Sequence, residues 1–157
     1  MTIDHKPLRL LANDLEDLQI FAAHLQDALL PITSMKYSEG DKSFSMVANR
    51  FCWEHPAVEH MGEDLYHRVH SRLHFDHVRN VQHKGVEQHG EVRNLNLLTI
   101  EAEYSDDKDE GHAVLHFSDG GAIKIDYDKL HCKLADIHEP WPTRSKPKHI
   151  HEHLEEL

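Results

Sequence analysis

The sequence of 157 residues is short of cysteine, glycine and long apolar runs. Its two cysteines, Cys52 and Cys132, are far apart, so they form neither a disulfide framework nor a thiolate zinc motif. The seven glycines are too dispersed for a phosphate-binding loop. No segment approaches the roughly 18 apolar residues of a membrane span, and the N-terminus lacks the apolar stretch of a signal peptide. These absences predict a cytoplasmic protein with reduced thiols.

Basic residues are scarce as well. There are 17 Lys and Arg against 28 Asp and Glu, which gives a formal net charge of −11. Nucleic acids and anionic bilayers favour cationic proteins, because binding neutralises phosphate charge and releases counterions. We therefore expect neither as a partner. The sequence also lacks a GxSxG elbow, a P-loop, a GxGxxG motif and an HExxH motif, so no familiar catalytic signature is present.

Histidine is the one abundant functional residue, with 17 copies. Their ordinary pKa near 6.5 makes the net charge sensitive to mild acid. The length and the 39% apolar content predict one folded domain over residues 1–138. Residues 139–157 are predicted to form a C-terminal segment and a His-rich tail.

One N-terminal amphipathic helix is predicted. Asn13 can cap it, with Glu16 completing a capping box, and Pro31 ends it. Its apolar stripe consists of Leu15, Leu18, Ala22, Leu25 and Leu29.

After the helix the apolar period shortens to that of strands. Strands are predicted near 32–38, 43–53, 69–77, 78–86, 95–104, 112–118, 122–127 and 129–137, with loops at 54–66 and 105–111. The predicted fold class is α+β, with a mostly antiparallel curved sheet or split barrel. The similar starts Tyr37-Ser38 and Tyr104-Ser105 suggest that this sheet could be built from two repeated three-strand units.

The hairpin at 112–127 can be predicted in more detail. The alternation of apolar residues requires Phe117 and Ile123 to share a face, as must Leu115 and Ile125. We predict the pairs 117/123 and 115/125, joined by the three-residue loop 119–121.

Two groups of histidines could bind metal. The first comprises His67, His70, His74 and His77, but a strand puts His70 and His74 on one face and the other two on the opposite face, which favours surface histidines. The second comprises His149, His151 and His153, which an extended chain can present together. An incidental polar tail is the alternative. No cofactor is predicted, although these tail histidines could chelate zinc or nickel adventitiously.

A set of charged residues is the candidate ligand site. Arg50 and Glu54 share a strand face and could bind a carboxylate or phosphate together with Arg68 or Arg72. The structural alternative is an ion-paired sheet face with the aromatic residues of 49–54 in the core. Asp76 is a further candidate, although its neighbour His77 points to the opposite face of a strand.

Several segments resemble, in their order and spacing, a family of small bacterial proteins known only as a domain of unknown function. They are PLRLLA at 7–12, NRFCWE at 49–54, LHFDHV at 73–78, LNLLTIE at 95–101, SDGGAIKID at 118–126, Trp141 and the Pro147-x-His149 motif. The resemblance covers nearly the whole chain and implies no activity, substrate or catalytic residue.

Three hypotheses follow. The first is a non-catalytic binding or interaction domain for an unknown protein or a small anionic ligand, with a sheet face and the 54–66 loop as its working surface. The second is a metal-binding protein that uses strand and tail histidines. The third is a small enzyme of unrecognised type, which requires Arg50, Glu54, Arg72 and Asp76 to converge in one pocket. The sequence identifies no catalytic residue and does not fix the oligomeric state.

Overall fold

A computed structural model describes residues 3–86, 94–104 and 109–147. It contains one α-helix within those residues, α1 at Leu15–His24. The strands are β1 Arg9–Ala12, β2 Leu29–Pro31, β3 Lys36–Ser38, β4 Ser43–Phe51, β5 Val58–His60, β6 Glu63–Phe75, β7 Val78–Lys84, β8 Asn94–Tyr104, β9 Gly111–Phe117, β10 Ala122–Tyr127, β11 Cys132–Asp136 and β12 Trp141–Thr143.

The strands form one open sheet. Its order is β1-β11-β6-β4-β2-β8-β9-β10-β7, with β3 added to β4, and β5 and β12 added to β6. Every described pairing is antiparallel. The prediction of a mostly antiparallel sheet with a helix near the N-terminus is therefore confirmed.

The predicted ends of the helix are wrong. Asp14 caps α1, because its side chain accepts a hydrogen bond of 2.8 Å from the backbone N–H of Asp17. The Asp17 carboxylate accepts from the N–H of Asn13, the residue before the cap, at 3.3 Å, so the cap lies one residue later than predicted and the reciprocal bond of a capping box is not the one formed. The helix ends at His24, and Asp27, at φ 60°, redirects the chain into β2 before Pro31. Helix α1 is too short to cross a membrane, as no described helix has the length and apolarity required.

The predicted loop at 54–66 is also wrong in its second half. Strand β5 pairs with the start of β6 to form a hairpin there. The turn uses Met61 and Gly62, both in the left-handed region at φ 54° and 80°. Alternation is weak in this hairpin because most of its side chains are exposed, so the apolar pattern gives no strand signal.

The register of the β9–β10 hairpin differs from the prediction. Leu115 pairs with Ile123, whereas the predicted partner of Ile123 was residue 117, although the buried faces are those expected. The loop is 118–120, with Gly120 at φ 92°. Gly121 lies in the ladder against the edge of β7, where an added Cβ would sit 2.9 Å from the backbone oxygen of Gly85. That contact, which local alternation does not reveal, requires glycine in the ladder and shifts the loop back by one residue.

The inner face of the sheet carries the core. Along β4 and β6 the buried pairs are Phe44 with Phe75, Met46 with Leu73 and Ala48 with Ser71. The helix contributes Leu18 and Phe21 to the same core. Towards the C-terminal end of β4, this inner face changes from apolar to charged side chains, and the candidate site lies there.

Candidate functional site

A buried arginine forms the centre of the site. Arg50 lies on the inner face near the end of β4 and is fully buried. Its Nη1 and Nη2 atoms donate to the two carboxylate oxygens of Glu54, each at 2.9 Å. Nη2 and Nε donate to Asp136 at 3.0 and 3.2 Å, and Nε also donates to Ser71 Oγ at 3.2 Å. Every nitrogen of the guanidinium is therefore bonded to a protein oxygen.

Three segments bring these partners together. Ser71 and Asp136 are paired across β6 and β11, which places both side chains on the face that carries Arg50. A turn at residues 52–55 follows β4, closed by the His55 N–H donating to the Cys52 carbonyl at 3.1 Å, and it returns Glu54 to the guanidinium. Asp136 also accepts hydrogen bonds from Ser71 Oγ at 2.6 Å and from the backbone N–H of Leu8 at 2.8 Å.

Arg50 and its partners Glu54, Ser71 and Asp136, here called the Arg50 cluster, carry a net negative charge. Burial alone would raise the pKa values of Glu54 and Asp136, but their hydrogen bonds with Arg50 lower both. Burial alone would lower the pKa of Arg50, but Glu54 and Asp136 raise it. One cation and two ionised carboxylates leave a charge of −1 at neutral pH. A further cation is thus favoured here, and a further anion is not.

Two histidines adjoin the carboxylates. The side chain of His5 is 3% exposed, and its Nε2 lies 2.9 Å from Asp136 Oδ2. Its Nδ1 lies 2.8 Å from His55 Nε2. Since an ionised carboxylate only accepts, the bonded geometry assigns the proton of neutral His5 to Nε2, which donates it to Asp136. In that neutral form the Nδ1 lone pair of His5 faces His55 Nε2, which is then the donor.

These side chains form a group with metal-ligand geometry. One ligand atom from each of His5, Glu54 and His55 lies within 4.8 Å of the other two. Imidazole nitrogen and carboxylate oxygen are ligands of zinc. A tetrahedral zinc ion with Zn–N bonds of ~2.05 Å separates two nitrogens by ~3.3 Å, so the imidazoles would part by roughly half an ångström. The contact with Asp136 fixes the orientation of the His5 side chain. The two hydrogen bonds from Arg50 fix the orientation of the Glu54 side chain.

The candidate residues identified from the sequence do not all converge. Arg50 and Glu54 meet, but Arg68 donates to the carbonyl and side-chain oxygens of Asn49 at 3.1 Å. Arg72 is exposed on the opposite face of β6. Asp76 instead contacts His74 at 3.0 Å and His131 at 3.5 Å. The four side chains proposed for an enzyme therefore do not share one pocket, and His149, His151 and His153 lie outside the described residues.

The faces of the strand around Arg50 are the reverse of those expected. Arg50 points to the main core, whereas Phe51 packs on the other side against Trp53 and Tyr66, with ring centroids 4.6 and 5.6 Å apart. The physical reason is that β4 ends at Phe51, so Glu54 reaches Arg50 through the turn rather than along a strand face.

The histidines of β6 divide between faces as predicted, but one of them is not a surface residue. His70 and His74 lie on the outer face, and His70 packs against Trp141 with ring centroids 4.7 Å apart. His67 lies on the inner face and is only 2% exposed. His77 follows the strand at φ 55°. Only His67 faces the side of the sheet that carries Arg50.

Sequence reasoning missed His5, His55 and Asp136. His5 is 50 positions from His55 and 131 from Asp136. No local motif links them, because the contacts depend on the pairing of β11 with β6. A signal did exist at Asp136, which is the one acidic residue at the buried end of an alternating apolar strand.

Both cysteines should be unreactive in the folded protein. Cys52 and Cys132 are buried, and burial raises the pKa of Cys52 to about 12 and that of Cys132 well above its usual range. Only the thiolate is a nucleophile, so we expect negligible labelling by a disulfide reagent at pH 8 and labelling of both thiols in denaturant. Rapid labelling of one thiol in the native protein would contradict this placement.

The chain was compared with known proteins. Residues 8–149 match a family model described as a protein of unknown function (DUF2948). No curated protein matches the chain, and no solved structure matches it either. The matched range includes Arg50, Glu54, His55 and Asp136 but begins after His5. Because the match covers most of the chain and confirms the resemblance described above, this protein belongs to the DUF2948 family of unknown function.

Proposed function

We propose that this protein binds a divalent transition metal, with zinc as the first candidate, through His5 Nδ1, His55 Nε2 and a carboxylate oxygen of Glu54. The observation that carries the proposal is that one ligand atom from each of these three residues lies within 4.8 Å of the other two. The structural alternative is a hydrogen-bonded histidine pair that only caps the Asp136 carboxylate. The charge and the supports of the ligands favour the metal.

Charge is the first support. The Arg50 cluster has a net charge of −1, so a dication bound beside it would bring the local charge to +1. A negative cluster whose Arg50 and Asp136 side chains are almost fully buried favours a bound cation. This charge also argues against the small anionic ligand expected at Arg50, since every guanidinium nitrogen already donates to protein oxygen.

The supports of the ligands are the second argument. A ligating histidine usually donates its other N–H to a carboxylate, and His5 makes such a contact with Asp136. Glu54 is held by two parallel hydrogen bonds from Arg50, which leave carboxylate lone pairs free for a metal. Two nitrogens and one oxygen suit zinc better than calcium or magnesium, which prefer oxygen alone.

Zinc titration of the full-length chain tests the proposal. His149, His151 and His153 are first changed to alanine, so that the tail does not contribute. We expect one zinc ion per chain with a Kd of about micromolar or tighter. At a free zinc concentration 100 times the Kd, the free energy of unfolding should rise by about 2.7 kcal/mol.

Two variants of that protein complete the test. His55→Ala should weaken zinc binding by roughly 100-fold or more, because a ligand is lost. His60→Ala, which removes an exposed histidine on β5, is the matched control and should leave the affinity unchanged. Equal affinities for the two variants, or no saturable uptake by the parent, would rule out the site.

A further inference from the structure

His67 is a buried side chain without an evident role in the core. It is 2% exposed, and within the described part of the chain neither ring nitrogen has a hydrogen-bond partner. Leaving a buried polar group unpaired costs about 1–3 kcal/mol. Such a group in a native protein calls for an explanation, and an absent ligand is one.

His67 lies next to the turn that carries two of the proposed ligands. Its backbone carbonyl accepts a hydrogen bond of 2.9 Å from the N–H of Cys52, the first residue of the turn at 52–55. Burial lowers the pKa of His67, and its side chain lies on the inner face of the sheet, which is the face that carries Arg50. A neutral imidazole is the form that binds metal.

We propose that His67 is the fourth protein ligand of the metal, which makes the site a closed set of three histidines and Glu54. This inference rests on the proposed function. His67 is not one of the three residues whose ligand atoms already lie within 4.8 Å of one another. The proposal therefore requires the His67 side chain and the 52–55 turn to move closer together when the metal binds. The metal then satisfies one of the two unpaired nitrogens of His67.

Four protein ligands have a consequence for the role of the site. Catalytic zinc sites keep a coordination position for water or substrate, whereas structural sites are filled by protein. A closed site would hold the N-terminal segment at His5 to β6 at His67 and to the turn at His55. The metal then stabilises the fold rather than activating water.

Cobalt(II) titration of the full chain with the three tail histidines changed to alanine tests this inference. Tetrahedral cobalt absorbs visible light much more strongly than cobalt with five or six ligands, so the spectrum reports the coordination number. His67→Phe fills the space of the ring and removes both unpaired nitrogens. We expect it to weaken cobalt binding roughly tenfold or more and to reduce the visible absorption.

The matched control is His70→Phe, which alters the outer face of the same strand and should change neither quantity. His67→Gln serves the same purpose if the phenylalanine variant fails to fold. If the parent binds cobalt and both His67 variants keep its affinity and spectrum, the fourth ligand is overturned while the three-ligand site stands. If the parent binds no cobalt, the proposed function and this inference both fail.

Discussion

Replacing Arg50 with methionine should lower the free energy of unfolding by about 3–5 kcal/mol. The substitution keeps a long apolar side chain but leaves the carboxylates of Glu54 and Asp136 facing each other without a cation. Most of the lost stability comes from the unpaired charge of Asp136, because its side chain is only 1% exposed, whereas that of Glu54 is 30% exposed. Urea unfolding at neutral pH in the presence of a chelator measures the effect without a contribution from metal.

Arg79→Met is the matched control for this experiment. The Arg79 side chain is 46% exposed and pairs with Glu110 at 3.3 Å and Asp128 at 3.5 Å. Exposed pairs contribute at most about 1 kcal/mol, because water and salt screen them. A similar loss in the two variants would mean that the Arg50 cluster does not have the buried character described above.

The second large effect is expected for Asp136→Asn, which should cost about 1.5–3 kcal/mol. The amide keeps the shape of the carboxylate but loses the charge that Arg50, Ser71 and His5 contact. Glu54 still neutralises Arg50 in this variant, so the loss is smaller than for Arg50→Met. Zinc binding should weaken about 10- to 100-fold as well, because Asp136 orients His5.

The cost of Asp136→Asn depends on pH. The pKa of Asp136 in the folded state lies below its ordinary value of 3.8, because its hydrogen bonds with Arg50 outweigh the effect of burial. Its contribution to stability is therefore present above about pH 4 and is lost as the pH falls through the lower folded value. The unfolding free energies of the parent and the variant should converge in acid.

Asp126→Asn, in a 3.9 Å pair with Lys124, is the matched control and should change little. A difference for Asp136→Asn that persists unchanged into strong acid would contradict the assigned pKa shift.

Much of the sheet could be predicted from the sequence because most strands have one buried face. Alternation placed Leu115 and Ile125 inside, and both are fully buried. The same rule fails where both faces are exposed, as in β5. It also misses contacts made across the sheet, such as Gly121 against Gly85, which set the hairpin register.

The site was predictable only in part. Arg50 and Glu54 were identified as partners, although the reason given, a shared strand face, was wrong. The 52–55 turn reverses the chain and so brings Glu54 to Arg50. The alternation of apolar and polar residues carries little information about such a turn. His5 and Asp136 could not be linked by any sequence argument, because nothing in either segment specifies the other until β1, β11 and β6 are side by side.

The contacts of Asp136 have a consequence for the kinetics of folding. Its partners Leu8, Arg50 and Ser71 lie 128, 86 and 65 positions away in the chain. The entropy cost of closing such long loops must be met before these contacts form, and the contacts therefore require several strands to have paired first. We therefore expect the ion cluster to form late in folding, so that its loss would mainly speed unfolding rather than slow folding.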